Sequence, residues 1–128
     1  MMIATPDIWK SRNKTFCTFL QDRLIVPIES AIHLLDIDQI LYLSADSNYC
    51  KVVLKEGPDI FCAKTLKYFE HHLMHRGFLR IHSSYMVNLK YVTAICRTSG
   101  FQVCVKNDIK LPVSRRYKNL LFDICLKG

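Results

Sequence analysis

The sequence has no apolar run long enough to cross a membrane, and the marks of secretion are missing as well. A membrane helix needs about 18 consecutive apolar residues, and no stretch of the chain approaches that length. Residues 1–16 lack the apolar core of a secretory signal. These absences predict a cytoplasmic protein without a membrane partner.

Cysteine is present, but it follows no pattern. The six cysteines form no Cys-x-x-Cys pair and no compact framework. A chain of 128 residues is long enough to fold around its own core, so a disulfide scaffold is not expected. Cys62 and Cys104 stand in apolar, strand-like runs, where a free thiol acts as a small apolar side chain.

The motifs of common enzymes are also missing. There is no Gly-x-Ser-x-Gly elbow, and the four glycines form no phosphate-binding loop. His71 and His75 have the spacing of a helical zinc site, but His72 occupies the place where that motif needs glutamate. Spacing alone leaves a metal role for these histidines open, and a solvent-facing helix surface is the favoured interpretation. No catalytic residue, cofactor, metal or small-molecule substrate is predicted.

Negative charge is scarce in one part of the chain. Residues 1–63 hold six Lys/Arg against eight Asp/Glu, a net of −2. Residues 64–118 hold eleven against two, a net of +9. A single-sign field of this size is typical of a surface that binds a polyanion, whereas solubility alone favours mixed signs.

Short apolar segments separated by turn residues predict a mainly β protein. The turn residues are Glu29-Ser30, Glu56-Gly57-Pro58, Ser99-Gly100 and Asn107-Asp108, and the last pair tolerates the positive φ of a hairpin turn. The predicted strands cover residues 22–28, 31–36, 40–45, 49–55, 59–64, 91–98, 101–106 and 109–113. In 101–106 the period of two is clean, so Phe101, Val103 and Val105 are predicted to face one way. Residues 1–20 are predicted to be a tail or linker, and residues 21–128 a single domain.

Two short helices are predicted, at about 65–76 and 115–126. The first begins after the N-cap Thr65, places Leu66, Phe69 and Leu73 on one stripe, and stops at Gly77. The second begins after Ser114. Its apolar stripe, predicted to pack on the sheets, consists of Tyr117, Leu120, Leu121 and Ile124.

The second helix has cations where its dipole disfavours them. Arg115 and Arg116 occupy its first turn, and Lys118 follows. A cation at a helix N-terminus costs about 0.3–1 kcal/mol. An anion bound there would reverse the sign, because free N–H groups and guanidinium groups would then act together. This arrangement predicts an anion site, although side chains that simply reach solvent are the alternative.

Four segments in this order resemble the LytTR-type DNA-binding domain of bacterial response regulators. They are ILYLSADSNYCKVVL, KTLKYFEHHL, FLRIHSSYMVNLKYV and KLPVSRRY. The resemblance covers about residues 21–126. It implies an elongated arrangement of small antiparallel sheets with two short helices, and transcription regulation through double-stranded promoter DNA.

The resemblance also implies where DNA is contacted. Loops on one face enter successive major grooves, and paired copies bind direct repeats, so a second protomer on the DNA is expected. The implied contact residues, in three places, are Ser47 and Asn48, His82 and Ser83, and Arg115 and Arg116.

The segment Arg80–Lys90 is predicted to be a DNA-facing loop between two cations. Arg80 and Lys90 are suited to phosphates. Three apolar residues, Tyr85, Val87 and Leu89, are predicted to anchor the loop in the core.

Two polar residues of this segment keep alternative roles. Asn88 is as well suited to satisfying turn backbone as to touching DNA. The imidazole of His82 fits a backbone hydrogen bond as well as a phosphate contact.

A module for single-stranded nucleic acid or RNA is the competing interpretation. Such modules stack bases on exposed aromatic rings above a basic groove. Because the aromatic residues here fall mostly at apolar-periodic positions, a duplex-binding domain is favoured.

Overall fold

A computed structural model of the chain describes residues 22–97 and 100–127, and it confirms a mainly β fold with two helices. The strands are β1 Arg23–Ile28, β2 Ala31–Asp36, β3 Ile40–Asp46, β4 Tyr49–Leu54, β5 Ile60–Cys62, β6 Phe78–His82, β7 Tyr85–Asn88, β8 Val92–Cys96, β9 Phe101–Val105 and β10 Ile109–Val113. The helices are α1 Leu66–Leu73 and α2 Arg115–Lys127. The predicted tail, residues 1–20, lies outside the described residues and stays a prediction.

The chain divides into two compact units after Asp38. In the first unit, β1 and β2 form an antiparallel hairpin. The predicted turn is at Glu29-Ser30, and Glu29 has a positive φ of 50°. Leu24 and Val26 on β1 are buried.

The second unit contains two antiparallel sheets that share a core. Their strand orders are β5-β4-β3-β7-β6 and β10-β9-β8. Side chains from both sheets and from α2 form one buried cluster: Leu41, Val53, Leu79, Ile81, Val87, Val103, Val105, Leu111, Val113 and Leu121. The alternation predicted for β9 is confirmed, since Val103 and Val105 face this cluster.

Strand β3 lies between β4 and β7 and is buried along most of its length. Ile40 and Leu41 are both buried, and because successive side chains point to opposite faces, both faces of the strand are covered. This explains why ILYLSA reads as a continuous apolar run rather than an alternating one. The predicted positive φ in the β9–β10 turn is confirmed, with 74° at Asn107 and 60° at Asp108.

The segment Arg80–Lys90 differs from the predicted loop. Most of it belongs to the β6–β7 hairpin, and only Ser83 and Ser84 form the turn. The predicted anchors are confirmed, since Val87 is fully buried and Tyr85 and Leu89 pack against the core. The polar residues did not prevent strand formation because their side chains find backbone partners, described below.

Helix α1 is confirmed, with its predicted N-cap. Thr65 Oγ1 accepts a hydrogen bond from the backbone N–H of Tyr68 at 3.1 Å. The predicted stripe is buried: Leu66, Phe69 and Leu73. The helix ends at Leu73, short of the predicted 76, and Gly77 with φ 85° follows after a turn.

Helix α2 is also confirmed, but its buried face differs from the predicted stripe. Leu121 is fully buried, whereas Leu120 and Ile124 are 48% and 38% exposed. Phe122 instead packs edge-to-face on Phe101 of β9, with 5.3 Å between ring centroids. The side of α2 that carries Leu121 therefore faces the shared core beside β6, and Phe122 lies against β9. Neither helix, within the described ranges, is long and apolar enough to cross a membrane.

Candidate nucleic-acid interface

Two of the three predicted contact places lie at the same end of the five-stranded sheet. Ser47 and Asn48 join β3 to β4, and Ser83 and Ser84 join β6 to β7. Because β3 and β7 are antiparallel neighbours, the two turns lie side by side at this end of the sheet. The backbone N–H of Ala45 donates to the carbonyl of Ser84 at 2.8 Å. We call this end of the sheet the turn end; it consists of Ser47, Asn48, Ser83 and Ser84.

The third predicted place, the start of α2, is attached to the turn end. The backbone N–H of Ser114 donates to the carbonyl of Ile81 at 2.9 Å, where the β6–β7 register is irregular. Arg115 and Arg116 follow at once, and both are exposed. Two backbone hydrogen bonds thus bring together residues that are up to about 70 positions apart.

A groove of about 370 Å³ opens beside the turn end. Its walls come from the two turns, from the β5–α1 connection and from the start of α1. The lining residues are Ala45, Ser47, Asn48, Tyr49, Ala63, Lys64, Thr65, Leu66, Lys67, Arg80 and Ser83. Lys64 and Lys67 make this groove basic, and the four predicted residues Ser47, Asn48, Arg80 and Ser83 meet in it.

Arg80 holds the Ser83–Ser84 turn together. Its Nε donates to the carbonyl of His82 at 2.9 Å, and a terminal nitrogen donates to the carbonyl of Ser83 at 2.6 Å. The other terminal nitrogen forms an ion pair with Glu70 of α1 at 2.7 Å. The side chain is 15% exposed. The phosphate contact predicted for Arg80 stays a prediction, whereas its role in bracing the turn is visible.

His82 makes the backbone hydrogen bond that was one of its two predicted roles. Its Nδ1 accepts from the backbone N–H of Ser84 at 3.0 Å. In the neutral imidazole the proton must then be on Nε2, which becomes a donor. The ring also packs edge-to-face on Tyr85, with 5.5 Å between centroids. The phosphate contact stays a prediction, with Nε2–H as its donor.

Asn88 has a structural role. Its side chain is buried; Nδ2 donates to the carbonyl of Ile40 at 2.9 Å, and Oδ1 accepts from the N–H of Lys90 at 3.1 Å. Of its two alternatives, satisfying turn backbone is the one observed.

Lys90 is not brought together with the other predicted residues. Asn88 pairs with Phe78 at the end of the β6–β7 hairpin opposite to the turn end, and Lys90 lies two residues further. Its ammonium group is 5.8 Å from the ring of Tyr91, which Lys55 and Lys106 also approach. Proximity in sequence to Ser83 was therefore misleading, because the hairpin carries Lys90 away. Its phosphate contact remains untested.

Lys118 is near the N-terminus of α2, and its side chain reaches β9. Its Nζ is 4.7 Å from the ring centroid of Phe101. Together with Arg115 it lines a second cavity of about 360 Å³, which also includes Gly100, Phe101 and Val113. Of the predicted cations of α2, Lys118 is half-buried, whereas both arginines are exposed.

Sequence reasoning missed Lys64, Lys67 and Tyr49. The lysines flank the N-cap Thr65, and Lys64 lies 5.0 Å from the ring of Tyr68. Tyr49 follows the Ser47–Asn48 turn and is 54% exposed. The cation pair around a helix start was visible as KTLK, but only the β5–α1 connection shows that it faces the same groove as the turns.

His71, His72 and His75 were the metal candidates that the sequence left open. Within residues 22–97 and 100–127, no group of three His, Cys, Asp or Glu side chains is placed to share a metal ion. The ring of His72 instead packs on Tyr68, with 4.7 Å between centroids.

Comparison with known proteins gives this arrangement a family. The model of the LytTr DNA-binding domain matches residues 30–125. The chain belongs to the LytTr DNA-binding domain family. It is thus a DNA-binding domain of transcription regulation, which agrees with the prediction that it is not an enzyme.

Individual relatives support the same assignment. The LytTr chain is 32% identical over 98 residues to sensory transduction protein LytT of Bacillus anthracis, covering 74% of the chain and 39% of that protein. It is 31% identical over 106 residues to LytT of Bacillus cereus, covering 80% and 42%. The chain therefore spans about two fifths of the length of these relatives.

A solved LytTr DNA-binding domain from Bacillus cereus has the same fold. It superposes with a TM-score of 0.69 at 24% identity, covering 81% of this chain and 96% of that one. At this identity the likeness concerns the fold alone, and it agrees with the small antiparallel sheets described above.

Proposed function

We propose that this LytTr domain binds promoter DNA as a duplex, with the turn end and the first turn of α2 as its contact surface. In this proposal Ser47, Asn48 and Ser83 enter a major groove, and Arg116 reads a base edge. One observation carries the proposal: the hydrogen bonds from Ala45 N–H to Ser84 and from Ser114 N–H to Ile81 join the three segments that the sequence predicts to contact DNA.

The charges around this surface support a duplex ligand. Lys64 and Lys67 lie in the groove beside the turns, and Arg115 and Arg116 are exposed at the start of α2. In the part of the chain that the structure describes, no carboxylate is seen within ion-pair distance of either arginine. Phosphate contacts made by these four cations would fix the position of the domain on the duplex. The side chains of the turns would then contact the bases and specify the sequence.

Selection of bound sequences from a random duplex pool tests the proposal. The expected result is a recurring sequence motif. The absence of any enriched motif, with binding that follows only total charge, would contradict sequence-specific recognition.

We also propose that the domain serves as the output domain of a bacterial response regulator. The LytT relatives are named sensory transduction proteins, and the chain spans about two fifths of their length. A regulatory domain elsewhere in the whole protein would then control when the turn end reaches DNA.

Affinity for a selected duplex is expected to fall steeply with salt concentration. Each neutralised phosphate contributes about −0.9 to the slope of log affinity against log salt, because condensed counterions are released. The double variant Lys64→Ala/Lys67→Ala should make the slope shallower by roughly 0.9 for each lysine. Lys110→Ala, which removes an exposed cation from β10, is the matched control. A slope that is flat in the wild type would contradict the duplex proposal.

Two protomers are expected on a duplex with two direct repeats, while the free domain is monomeric or only weakly associated. Direct repeats place the copies head to tail, so no two-fold protein interface is needed. Sedimentation at saturating protein measures the stoichiometry. A single protomer on the two-repeat duplex would contradict this assembly.

One observation favours the competing single-strand interpretation. Tyr49 on β4 and Phe61 on β5 are 54% and 50% exposed, and Phe61 lies opposite Lys51 on the same face as Tyr49. Exposed rings beside a cation are able to stack unpaired bases. Duplex and single-stranded probes of the same selected sequence separate the two, and the proposal predicts tighter binding of the duplex.

A further inference from the structure

Two cysteines on neighbouring strands are in direct contact. The Sγ atoms of Cys96 on β8 and Cys104 on β9 are 2.7 Å apart. Both are free thiols and both are partly accessible to solvent. This contact plays no part in the proposed DNA interface.

The sheet register explains why the two thiols meet. Ala94 lies opposite Cys104, and Cys96 lies opposite Gln102, so the cysteines are diagonal neighbours across the strand pair. Val103 and Ile95 point to the core, and alternation along both strands puts Cys96 and Cys104 on the opposite, outer face. The outer face gives a small reagent access to both sulfur atoms.

From this contact we propose that Cys96 and Cys104 form a redox-active dithiol, which low-molecular-weight disulfides convert into an intramolecular disulfide that weakens DNA binding. A disulfide needs the sulfur atoms about 2.05 Å apart, so only a small displacement separates the thiol pair from the bonded form. Strand β8 is at the edge of its sheet, and its end can move toward β9 without breaking a second ladder.

The reaction is ordinary thiol–disulfide exchange. The thiolate of one cysteine attacks a sulfur of the small disulfide and expels one thiolate, which leaves a mixed disulfide on the protein. The second cysteine then attacks the protein-bound sulfur and expels the other thiolate. Both cysteines are oxidised, and the small disulfide is reduced to two thiols, which take up the two cysteine protons.

A second cysteine pair is less accessible to solvent than the proposed dithiol. Cys50 on β4 lies directly opposite Cys62 on β5, but both side chains are buried. Burial raises the pKa of Cys50 to about 12, so its reactive thiolate is scarce at neutral pH. The hydrogen bond with Cys96 also raises the pKa of Cys104, so exchange at the proposed pair should become faster as the pH rises.

The effect on DNA binding rests on the proposed function and passes through α2. Arg97, directly after Cys96, lies 5.9 Å from the ring of Phe122 on α2. Phe122 also packs on Phe101, near Cys104 on β9. A bond that draws the end of β8 toward β9 shifts these supports of α2, whose first turn carries Arg116.

Peptide mapping of the full chain tests whether the bond forms. The protein is treated with oxidised glutathione, free thiols are blocked, and trypsin is added. Cleavage after Lys90, Arg97 and Lys106 puts the two cysteines on separate peptides, residues 91–97 and 98–106. The expected main product is this pair of peptides joined by a disulfide. Dithiothreitol should separate the pair, and Cys96→Ser should abolish it.

Matched variants separate this outcome from general thiol reactivity. Cys125→Ser removes an exposed cysteine outside the pair and should leave the linkage intact. Linked peptides that carry Cys50 and Cys62 instead, or glutathione attached to single cysteines without a 91–97 to 98–106 linkage, would overturn the proposal.

Affinity for the selected duplex is then compared between oxidised and reduced protein. The expected loss on oxidation is roughly fivefold or more, the lower end of typical coupling between distant sites, and Cys96→Ser should show no loss. Equal affinities would overturn the regulatory step and leave the dithiol itself standing. If the reduced wild type selects no duplex sequence, the proposed function fails, while the peptide linkage still decides whether the dithiol exists.

Discussion

Replacement of Arg80 by methionine is expected to lower the free energy of unfolding by roughly 2–3 kcal/mol, the scale of losing hydrogen bonds to a charged group. Methionine keeps much of the side-chain length but has no donors. The carbonyls of His82 and Ser83 and the carboxylate of Glu70 would each lose the partner that the guanidinium provides. For a domain of this size the thermal midpoint should fall by on the order of 10 °C.

Arg80→Lys distinguishes a structural role from a phosphate contact. Lysine keeps the positive charge, but one ammonium group cannot reproduce the planar arrangement that reaches three acceptors. A structural role therefore predicts that Arg80→Lys also loses stability and duplex affinity, since the Ser83–Ser84 turn is no longer held.

Glu70→Gln is the control for the ion pair alone. Glu70 is 40% exposed, and glutamine retains an oxygen that accepts from Arg80. Surface ion pairs contribute only about 0–1 kcal/mol, so this variant should remain near wild-type stability. If Arg80→Met keeps the wild-type midpoint and Arg80→Lys restores affinity for every duplex alike, the arginine holds phosphate instead.

Replacement of Arg116 by alanine is expected to cost roughly 1–3 kcal/mol of discrimination between a selected and a scrambled duplex, the value of a bidentate contact to guanine. Arg116 is exposed in the first turn of α2. Its guanidinium lies 5.4 Å from the ring of Tyr117, which leaves its outer edge available to a base.

Stability should respond in the opposite sense. A cation in the first turn of a helix opposes the helix dipole. The thermal midpoint of Arg116→Ala should therefore be unchanged or slightly raised. Measuring the midpoint and both duplex affinities on one preparation tests the two expectations together.

Two further variants identify what Arg116 contacts. Arg116→Lys keeps the charge without the bidentate geometry, so it should lose discrimination while retaining part of the general affinity. Lys110→Ala removes one exposed cation from β10 and should affect both duplexes little. Unfolding of Arg116→Ala would mean that the arginine is structural. An equal loss for both duplexes would mean that it holds phosphate and reads no base.

Local pattern predicted the elements of this domain well where one physical rule dominates. The N-cap of α1, the alternation in β9 and the positive φ at Asn107 and Asp108 depend on neighbouring residues only. Each was confirmed. The buried face of α2 was predicted less well, because Leu120 and Ile124 satisfy the helical period but lie on the side of the helix that faces away from the core.

The different surroundings of Arg80 and Lys90 could not be predicted from neighbouring residues in the sequence. The two cations look equivalent in the sequence, and both were predicted to contact phosphate. A two-residue turn separates the strands that carry them, so Arg80 braces the turn end while Lys90 lies at the other end of the hairpin. Which partner a cation meets depends on strand direction, which its immediate neighbours do not reveal.

The sequence by itself determined the family, the β-rich class and the excess of positive charge, because motif order, side-chain periodicity and composition are properties of the chain alone. Only the tertiary structure decided which residues share a surface. Lys64 and Lys67 face the groove with Ser47 and Ser83, and α2 starts beside Ile81. These neighbours are created by antiparallel strand pairing and by two long-range backbone hydrogen bonds, which leave no local pattern in the sequence.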